Sequence, residues 1–137
     1  MAVPRCILAI DQGTTSTRSM VFDAGARPLA HAQRAHAQHY PADGWVEHDP
    51  EEIWAGVVGT AREAIAQSGV GPEGIAALGI ANQRESVAVW NRATGAPIHR
   101  ASVWQDLLTA KACEPLRAGG AEELVRARTG LWLDPYF

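Results

Sequence analysis

The sequence predicts an α/β fold in which a mixed sheet starts with an antiparallel meander of three strands. The first observation is that three extended, largely apolar stretches near the amino terminus are joined by short turns that contain glycine. Such close spacing predicts that consecutive strands pair as hairpins. The second observation is that a helix with clear boundary signals follows them, and then a further apolar strand, an alternation typical of α/β folds.

The first three strands are predicted over residues 5–10, 17–22 and 28–38. The apolar run of the first strand is nearly continuous, which predicts a strand that is buried on both faces. A turn around Gly13 joins the first strand to the second. The sequence Asp23-Ala-Gly-Ala26 predicts the turn between the second strand and the third.

A helix is predicted from residue 50 onward. Asp49 can cap its amino terminus, Pro50 suits the first helical position, and Glu52 sits where a capping box places an acid. Gly69 is expected to end the helix. The apolar residues that recur on one helical face are Ile53, Trp54, Val57, Val58, Ala61, Ala64 and Ile65.

After this helix the sequence predicts a strand, two extended segments joined by a turn, and two helices split at Gly119-Gly120. The segment 40–48, which precedes the first helix, is predicted as a loop. The predicted ranges are strands over 75–81 and 87–90, a turn over 91–95, an extended return over 97–103, and helices over 107–116 and 121–128.

Length and composition indicate one domain of ordinary size. The 137 residues are 47% apolar and carry a net charge of −3, and because the basic residues form no stripe, a nucleic-acid partner is not expected. No apolar run approaches the ~20 residues that span a bilayer, and the first six residues lack the order of a signal peptide. Cys6 and Cys113 show no metal-ligand spacing and are expected to be reduced, as in cytoplasmic proteins.

The first stretch that indicates chemistry is Asp11-Gln-Gly-Thr-Thr-Ser-Thr-Arg18, directly after the first apolar run. Glycine lets the backbone approach an anion, and successive N–H groups and hydroxyls can surround phosphate oxygens. An acid beside them suits magnesium. The alternative is an ordinary polar turn between two strands, which glycine and threonine alone would satisfy.

A second cluster, Asn82-Gln-Arg-Glu85, follows the later apolar strand. Ligands of open α/β sheets bind beyond the carboxyl ends of strands, so this cluster and Asp11 meet there if their strands are neighbours. Arg and Glu together suit the hydroxyls of a small polyol, and the aromatic faces of Trp104 and Tyr136 suit its carbons. The alternatives are a surface ion pair and two core aromatic residues.

Other patterns are set aside on physical grounds. Gly69-Val-Gly-Pro-Glu-Gly74 has the spacing of a dinucleotide fingerprint, but a helix precedes it and a strand follows, the reverse of what that site needs. Lys111 is the only lysine in the sequence and lies in no phosphate-loop motif. The five histidines show no zinc spacing and are interpreted as structural or solvated.

Five segments, taken together, resemble the glycerol kinases, a branch of the carbohydrate-kinase family. Their order and spacing are similar to that family over nearly the whole chain, and two of them indicate the glycerol branch rather than xylulose or gluconate kinases. The resemblance implies the ribonuclease H-like fold shared by sugar kinases and the actin-like ATPases. The segments are Asp11-Gln-Gly-Thr-Thr-Ser16, Gly44-Trp-Val-Glu-His-Asp-Pro50, Asn82-Gln-Arg-Glu85, Val103-Trp-Gln-Asp106, and Thr129-Gly-Leu with Asp134-Pro-Tyr-Phe137.

The resemblance implies that ATP and glycerol are the substrates, that magnesium is a cofactor, and that sn-glycerol 3-phosphate and ADP are the products. It also implies a role for individual side chains. These are Thr14, Thr15, Ser16 and Arg18 for the nucleotide phosphates, Asp11 for magnesium, Arg84, Glu85 and Tyr136 for the glycerol hydroxyls, and Trp104 for the glycerol carbons.

The sequence also departs from the family. Family members are several times longer and have two domains, so residues 1–137 are expected to form an incomplete N-terminal carbohydrate-kinase domain that is inactive alone. The catalytic Asp is expected beyond Phe137, and a homo-oligomer is compatible with the full-length protein. Leu107-Leu108 stands where the family commonly has two Arg. The alternatives are a non-catalytic module that keeps a phosphate or polyol site, and a kinase for a related polyol or sugar.

Overall fold

The structure is a computed structural model that describes residues 5–137, so the amino-terminal residues used above against a signal peptide lie largely outside it. The chain divides into two compact units. The first unit comprises Met1–Ala37 and Asp49–Gln83, and the second comprises Gln38–His48 and Arg84–Phe137. The strands are β1 (Cys6–Gln12), β2 (Ser16–Phe22), β3 (Pro28–Ala35), β4 (Glu47–His48), β5 (Ile75–Asn82) and β6 (Ala101–Ser102), and the helices are α1 (Pro50–Ser68), α2 (Ala110–Ala118) and α3 (Ala121–Thr129).

The first unit contains a four-stranded mixed sheet in the order β3-β2-β1-β5. The strands β1, β2 and β3 form the predicted antiparallel meander, whereas β5 lies parallel to β1. A parallel neighbour needs a crossover connection, and α1 is part of it. The predicted α/β class and the mixed sheet are therefore confirmed.

The boundaries of α1 are those that the sequence predicts. The Asp49 side chain accepts a hydrogen bond from the Glu51 backbone N–H at 2.9 Å, Pro50 opens the helix, and Gly69 closes it in the left-handed conformation with φ of 69°. The prediction that Glu52 completes a capping box is wrong. The Glu52 carboxylate accepts a hydrogen bond from the Ala37 backbone N–H at 3.1 Å, and so joins α1 to the chain that follows β3.

The core of the first unit lies between α1 and one face of the sheet. Small and hydroxyl side chains let the helix approach closely, since the buried hydroxyls of Thr60 and Ser19 are 2.8 Å apart. Trp54, predicted on the buried face, is instead 64% exposed, because it lies about a third of a turn from Thr60. The buried core residues are Cys6, Leu8, Ile10, Val21, Ala32 and Ala64.

The prediction that the first strand is buried on both faces is wrong. Cys6, Leu8 and Ile10 are buried against α1, whereas Ile7, which points to the opposite face, is 48% exposed. The reason is that α1 covers one face of the sheet in the described part of the chain. Leu78 and Ile80 of β5 are exposed for a different reason: they pair with the buried Leu8 and Ile10, but α1 packs mainly on β2 and β3 and leaves β5 uncovered.

The second unit is built on a two-stranded antiparallel sheet of β4 and β6. The predicted loop over 40–48 therefore ends in a short strand. The segments predicted as extended over 87–90 and 97–103 are joined by isolated bridges, Val87 to Ser102 and Trp90 to Pro97, rather than by a continuous ladder. The pairing continues beside Pro97, where the Asn91 N–H donates to the Ala96 carbonyl at 2.8 Å and the Ile98 N–H to the Val89 carbonyl at 3.0 Å. The break lies between the two bridges, because Val87 and Trp90 are three positions apart whereas Pro97 and Ser102 are five apart.

The predicted turn over 91–95 is confirmed by hydrogen bonds to the Asn91 side chain. The helix predicted from residue 107 begins at Ala110 instead, because the Leu108 backbone N–H donates to Asp106 in a turn. Glycines 119 and 120 separate α2 from α3 as predicted. Among the residues that the structure describes, no helix is long and apolar enough to cross a membrane.

The turn between β2 and β3 is held by Asp23. Its carboxylate accepts hydrogen bonds from the backbone N–H groups of Gly25 at 2.8 Å and Arg27 at 3.0 Å, and it pairs with the Arg27 guanidinium at 2.7 Å. The Arg27 backbone N–H and then its side chain hold the pKa of Asp23 below its ordinary value. This contribution to stability is present above the ordinary carboxyl pKa and is lost as the pH falls through the lowered pKa.

The residue with positive φ in this turn is Ala26, at 59°, and not the neighbouring Gly25. Because a left-handed alanine is strained, we expect Ala26→Gly to raise the free energy of unfolding by about 1 kcal/mol. The control is Ala24→Gly, two positions earlier and also exposed. This substitution relieves no strain, so we expect it to lower the free energy of unfolding slightly. Urea unfolding of the purified chain measures the free energy of unfolding of both variants. A loss of stability in Ala26→Gly would contradict the strain assigned to Ala26.

Candidate functional site

The turn between β1 and β2 is compact and held by its own hydrogen bonds. The Gly13 backbone N–H donates to the Ser16 carbonyl at 2.9 Å, and the Gln12 side chain donates to the Gly13 carbonyl at 2.8 Å. Thr15 is exposed, and Thr14 and Ser16 are half-buried. The turn therefore fixes its own backbone and leaves hydroxyl groups near the surface.

Thr17, the fourth hydroxyl residue of the stretch, belongs to the core rather than to the turn. It is 1% exposed, and its hydroxyl has no hydrogen-bond partner among the described residues. It lies beside Gly56 of α1, where an added Cβ would be 3.5 Å from the Thr17 hydroxyl. The alternation of β2 therefore separates Thr17 from the phosphate-binding candidates.

Arg18 lies on β2 and is exposed. Its Nε and Nη2 atoms donate to the side-chain oxygen Oε1 of Gln33 at 3.0 and 2.8 Å. A guanidinium has five N–H donors, so most of them remain for another acceptor. Arg18 therefore keeps its charge and much of its donor capacity beside the turn.

The carbonyl groups of the turn are held by His36, which follows β3. Nε2 of His36 donates to the Thr14 carbonyl at 2.9 Å, and the His36 backbone N–H donates to the Thr15 carbonyl at 3.2 Å. Sequence reasoning missed these roles of His36 and Gln33, since each contact joins residues at least 15 positions apart. The hairpin register is the only signal that could have suggested them.

Asp11 and Asn82 lie at the same edge of the sheet, as expected if their strands are neighbours. In the parallel register of β1 and β5, Asp11 pairs with Ala81 and Gln12 pairs with Asn82. The Gln83 backbone N–H donates to the Gln12 carbonyl at 2.9 Å, and the two side-chain amides bond at 3.1 Å. The carboxyl ends of both strands are thus tied together.

Asp11 is chemically suited to a hydrated magnesium ion. Its carboxylate is exposed and is not engaged by another side chain of the described residues. No group of three or more His, Cys, Asp or Glu able to hold a metal occurs within residues 5–137. Mg²⁺ is commonly held by one or two carboxylates together with substrate phosphates, so a single free carboxylate fits this ion better than a closed protein cage.

The predicted substrate residues all fall in the second unit. The rings of Trp104 and Tyr136 contact each other edge to face, with centroids 5.8 Å apart, and both are half-buried. Arg84 and Glu85 are exposed, and Glu85 has a positive φ of 55°. The Ser86 hydroxyl, next to Glu85, accepts a hydrogen bond from the Trp104 backbone N–H at 3.3 Å. The two aromatic residues are therefore brought together, and the Arg-Glu segment is tied to Trp104 through Ser86.

Asp106 joins two of the predicted segments. It is 6% exposed, and its carboxylate accepts hydrogen bonds from the backbone N–H groups of Val46 and Leu108, each at 2.7 Å. The Leu107 backbone N–H donates to the Gly44 carbonyl at 2.8 Å. Asp106 thus holds the Gly44–His48 segment against the turn that carries Trp104.

Leu107 and Leu108 are 57% and 48% exposed. Gly44 has a positive φ of 76°, and a Cβ added there would lie 3.3 Å from the Leu107 Cβ. The Leu107 side chain therefore packs on Gly44, and large parts of both leucine side chains remain accessible to solvent.

Comparison with known proteins decides the family. Residues 6–137 match the N-terminal domain of the FGGY family of carbohydrate kinases. The chain belongs to this family.

Among the curated relatives of this carbohydrate kinase chain, glycerol kinase from Gluconobacter oxydans is 61% identical over 100% of the chain and 27% of the relative. Glycerol kinase from Thermus brockianus is 59% identical over 96% of the chain and 26% of the relative. The chain therefore spans about a quarter of the length of the curated relatives that it matches.

Solved structures of carbohydrate kinases confirm the actin-like ATPase fold. Plasmodium falciparum glycerol kinase with ADP superposes with a TM-score of 0.88 at 30% identity, covering 98% of this chain and 27% of that one. Xylulose kinase from Lactobacillus acidophilus superposes with a TM-score of 0.87 at 20% identity, covering 96% and 26%. At this lower identity, the comparison with xylulose kinase shows the fold alone.

The buried carboxylate of Asp106 gives a stability prediction. Asp106→Asn places an amide NH2 against a backbone N–H donor and leaves one hydrogen bond unmade, so we expect the free energy of unfolding to fall by about 1–3 kcal/mol. Asp134→Asn is the matched control, because Asp134 is exposed and accepts one bond, from the Tyr136 N–H at 3.0 Å. Urea unfolding of both variants tests this, and equal effects would show that Asp106 does not hold the two segments together.

Proposed function

We propose that this chain is the N-terminal portion of an ATP-dependent glycerol kinase. The enzyme transfers the γ-phosphoryl group of ATP to a terminal hydroxyl of glycerol and forms sn-glycerol 3-phosphate and ADP. The observation that carries the proposal is 56–61% identity to curated glycerol kinases, together with a braced hydroxyl-rich turn beside a free carboxylate. Residues 1–137 form part of the N-terminal carbohydrate-kinase domain in this proposal.

The nucleotide side of the proposal rests on the turn between β1 and β2. Thr14, Thr15 and Ser16 offer hydroxyl and backbone donors, and Arg18 offers a positive charge directly opposite Asp11 in the β1–β2 ladder. Phosphoryl transfer depends mainly on positioning and on stabilising charge that spreads over the phosphate oxygens. These groups supply both functions on a backbone that is already fixed before the nucleotide arrives.

Asp11 would hold the magnesium ion that accompanies ATP. The ion neutralises charge on the phosphates of the bound nucleotide. Asp11 is suited to this because the parallel pairing of β1 and β5 leaves its carboxylate exposed at the sheet edge. Gln12, the next residue, points to the opposite face and is buried.

The substrate side rests on the second unit. Arg84 can donate to glycerol hydroxyls, Glu85 can accept from them, and the Tyr136 phenol can do either. Trp104 presents an apolar ring for the glycerol carbons, held in place by its edge-to-face contact with Tyr136. A small polyol needs this combination of donors, acceptors and an apolar surface.

The group that removes the proton from the attacking hydroxyl is proposed to be an Asp beyond Phe137, so none of the 137 residues is assigned as catalytic. The chain alone is therefore expected to be inactive. We further propose a cytoplasmic enzyme that acts on small molecules, with no nucleic-acid or membrane partner. A homo-oligomeric full-length enzyme is compatible with the same proposal.

The direct test is to express the whole reading frame that encodes this chain and to measure glycerol-dependent ADP formation with Mg-ATP. Glycerol should be preferred over erythritol and xylulose, and the 137-residue chain should show no turnover. Preference for another polyol would favour the related-sugar alternative. If the whole protein has no activity but still binds Mg-ATP or glycerol by calorimetry, the non-catalytic alternative is favoured.

Two arginine substitutions should separate the nucleotide side from the glycerol side. Because a hydrogen bond to a charged group contributes about 1.5–3 kcal/mol, we expect Arg18→Ala to raise KM for ATP about tenfold to a hundredfold. Arg84→Ala should raise KM for glycerol by a similar factor. Steady-state kinetics with each substrate varied measures both effects.

The matched controls for these substitutions are two exposed arginines outside the proposed site. Arg27 lies beyond the opposite end of β2 from the candidate turn, and Arg92 lies in the turn over 91–95. Arg27→Ala and Arg92→Ala should leave both KM values unchanged. If Arg18→Ala altered KM for glycerol and not for ATP, the nucleotide assignment of the turn would be wrong.

A further inference from the structure

Gln33 on β3 bridges two of the proposed phosphate-binding residues. Its side-chain oxygen accepts from Nε and Nη2 of Arg18 at 3.0 and 2.8 Å, and its side-chain nitrogen donates to the Ser16 hydroxyl at 2.8 Å. Within residues 5–137, no other side chain hydrogen-bonds to both Arg18 and Ser16. Gln33 therefore couples the charge on β2 to the hydroxyl at the start of that strand.

The orientation of the Gln33 amide is fixed by its partners. A guanidinium has donors only, so the amide must turn its oxygen toward Arg18 and its NH2 group toward Ser16. The Ser16 oxygen then accepts from Gln33, which leaves the hydroxyl proton of Ser16 free to point at an acceptor. Both phosphate-binding candidates are thus presented as donors.

The neutrality of Gln33 is as informative as its geometry. A carboxylate at this position would also accept from Arg18, but it would cancel the positive charge and repel a phosphate. The neutral amide of Gln33 accepts hydrogen bonds from the guanidinium and adds no negative charge beside it. Because the Asp11 carboxylate already lies opposite Arg18 in the β1–β2 ladder, a second carboxylate at position 33 would leave the arginine less able to attract an anion from outside the protein.

The hairpin register places Gln33 where it can do this. Arg18 pairs with Gln33 and Ser16 pairs with Ala35 in the antiparallel ladder of β2 and β3. Gln33 is therefore directly opposite Arg18 and diagonal to Ser16, within the reach of a long side chain. It is exposed on an edge strand, so its replacement does not disturb the buried core.

We infer that Gln33 is a positioning residue for nucleotide binding, which holds the Arg18 guanidinium and the Ser16 hydroxyl toward the phosphates. The inference rests on the proposed glycerol kinase function. Gln33 does not itself contact the nucleotide in this account. It acts through Arg18 and Ser16, so the part of its contribution that Arg18 carries disappears when Arg18 is absent.

The test uses the enzyme from the whole reading frame and compares three variants. Gln33→Met keeps the length of the side chain and removes both hydrogen bonds, and we expect KM for ATP to rise about fivefold. Gln33→Glu keeps the bond to Arg18 but adds a negative charge, and should raise KM for ATP by about tenfold or more, less so at high ionic strength. The control is Gln67→Met, because Gln67 is an exposed glutamine of α1 that bonds only to Glu63.

Two readouts separate positioning from a general structural effect. KM for glycerol and kcat should stay within about twofold in both Gln33 variants, because only nucleotide binding is affected. In a double-mutant cycle, Gln33→Met should raise KM for ATP less in Arg18→Ala than in the unmodified enzyme, because only the part that acts through Ser16 remains. A value of KM for ATP in Gln33→Met equal to that of Gln67→Met, or full additivity with Arg18→Ala, would overturn the inference. An unmodified enzyme without glycerol kinase activity would overturn the proposed function, and the inference with it.

Discussion

The register of β1 is the constraint on which the first unit depends. This strand pairs with β2 on one side and with β5 on the other, and its side chains alternate between a face covered by α1 and an open face. A slip of one residue would exchange the two sets, turning Leu8 and Ile10 outward and the Asp11 carboxylate inward. Burying an unpaired carboxylate costs several kcal/mol. The same hydrophobic pattern that builds the core therefore keeps Asp11 accessible at the end of the strand.

The candidate phosphate turn is rigid because β3 supports it from outside. His36 holds the carbonyl of Thr14, and Gln33 holds Arg18 and Ser16. Catalysis by positioning requires hydrogen-bond donors that are oriented before the substrate binds. The contacts of His36 and Gln33 are made within the protein, so they can orient the turn and Arg18 before a nucleotide binds. The second unit uses the same strategy, since the buried carboxylate of Asp106 fixes the segment that carries Trp104.

The sequence predicted those parts of the structure that depend on local signals. The caps at Asp49 and Gly69 and the apolar runs of β1 and β5 were sufficient for α1 and the mixed sheet, and family resemblance supplied the candidate residues. The short pairing of β4 with β6 could not be predicted, because two-residue strands have no periodicity to detect. The bond from Val46 to Asp106 joins residues 60 positions apart and leaves no trace in composition or spacing.

The central claim is that the turn between β1 and β2 receives the phosphates of a nucleotide. Hydrogen–deuterium exchange of the enzyme from the whole reading frame, with and without a non-hydrolysable Mg-ATP analogue, tests it most directly. The account predicts slower exchange over residues 13–18 and no change over residues 23–27, the turn at the opposite end of β2. Equal exchange over 13–18 in the free and the saturated enzyme would contradict the claim.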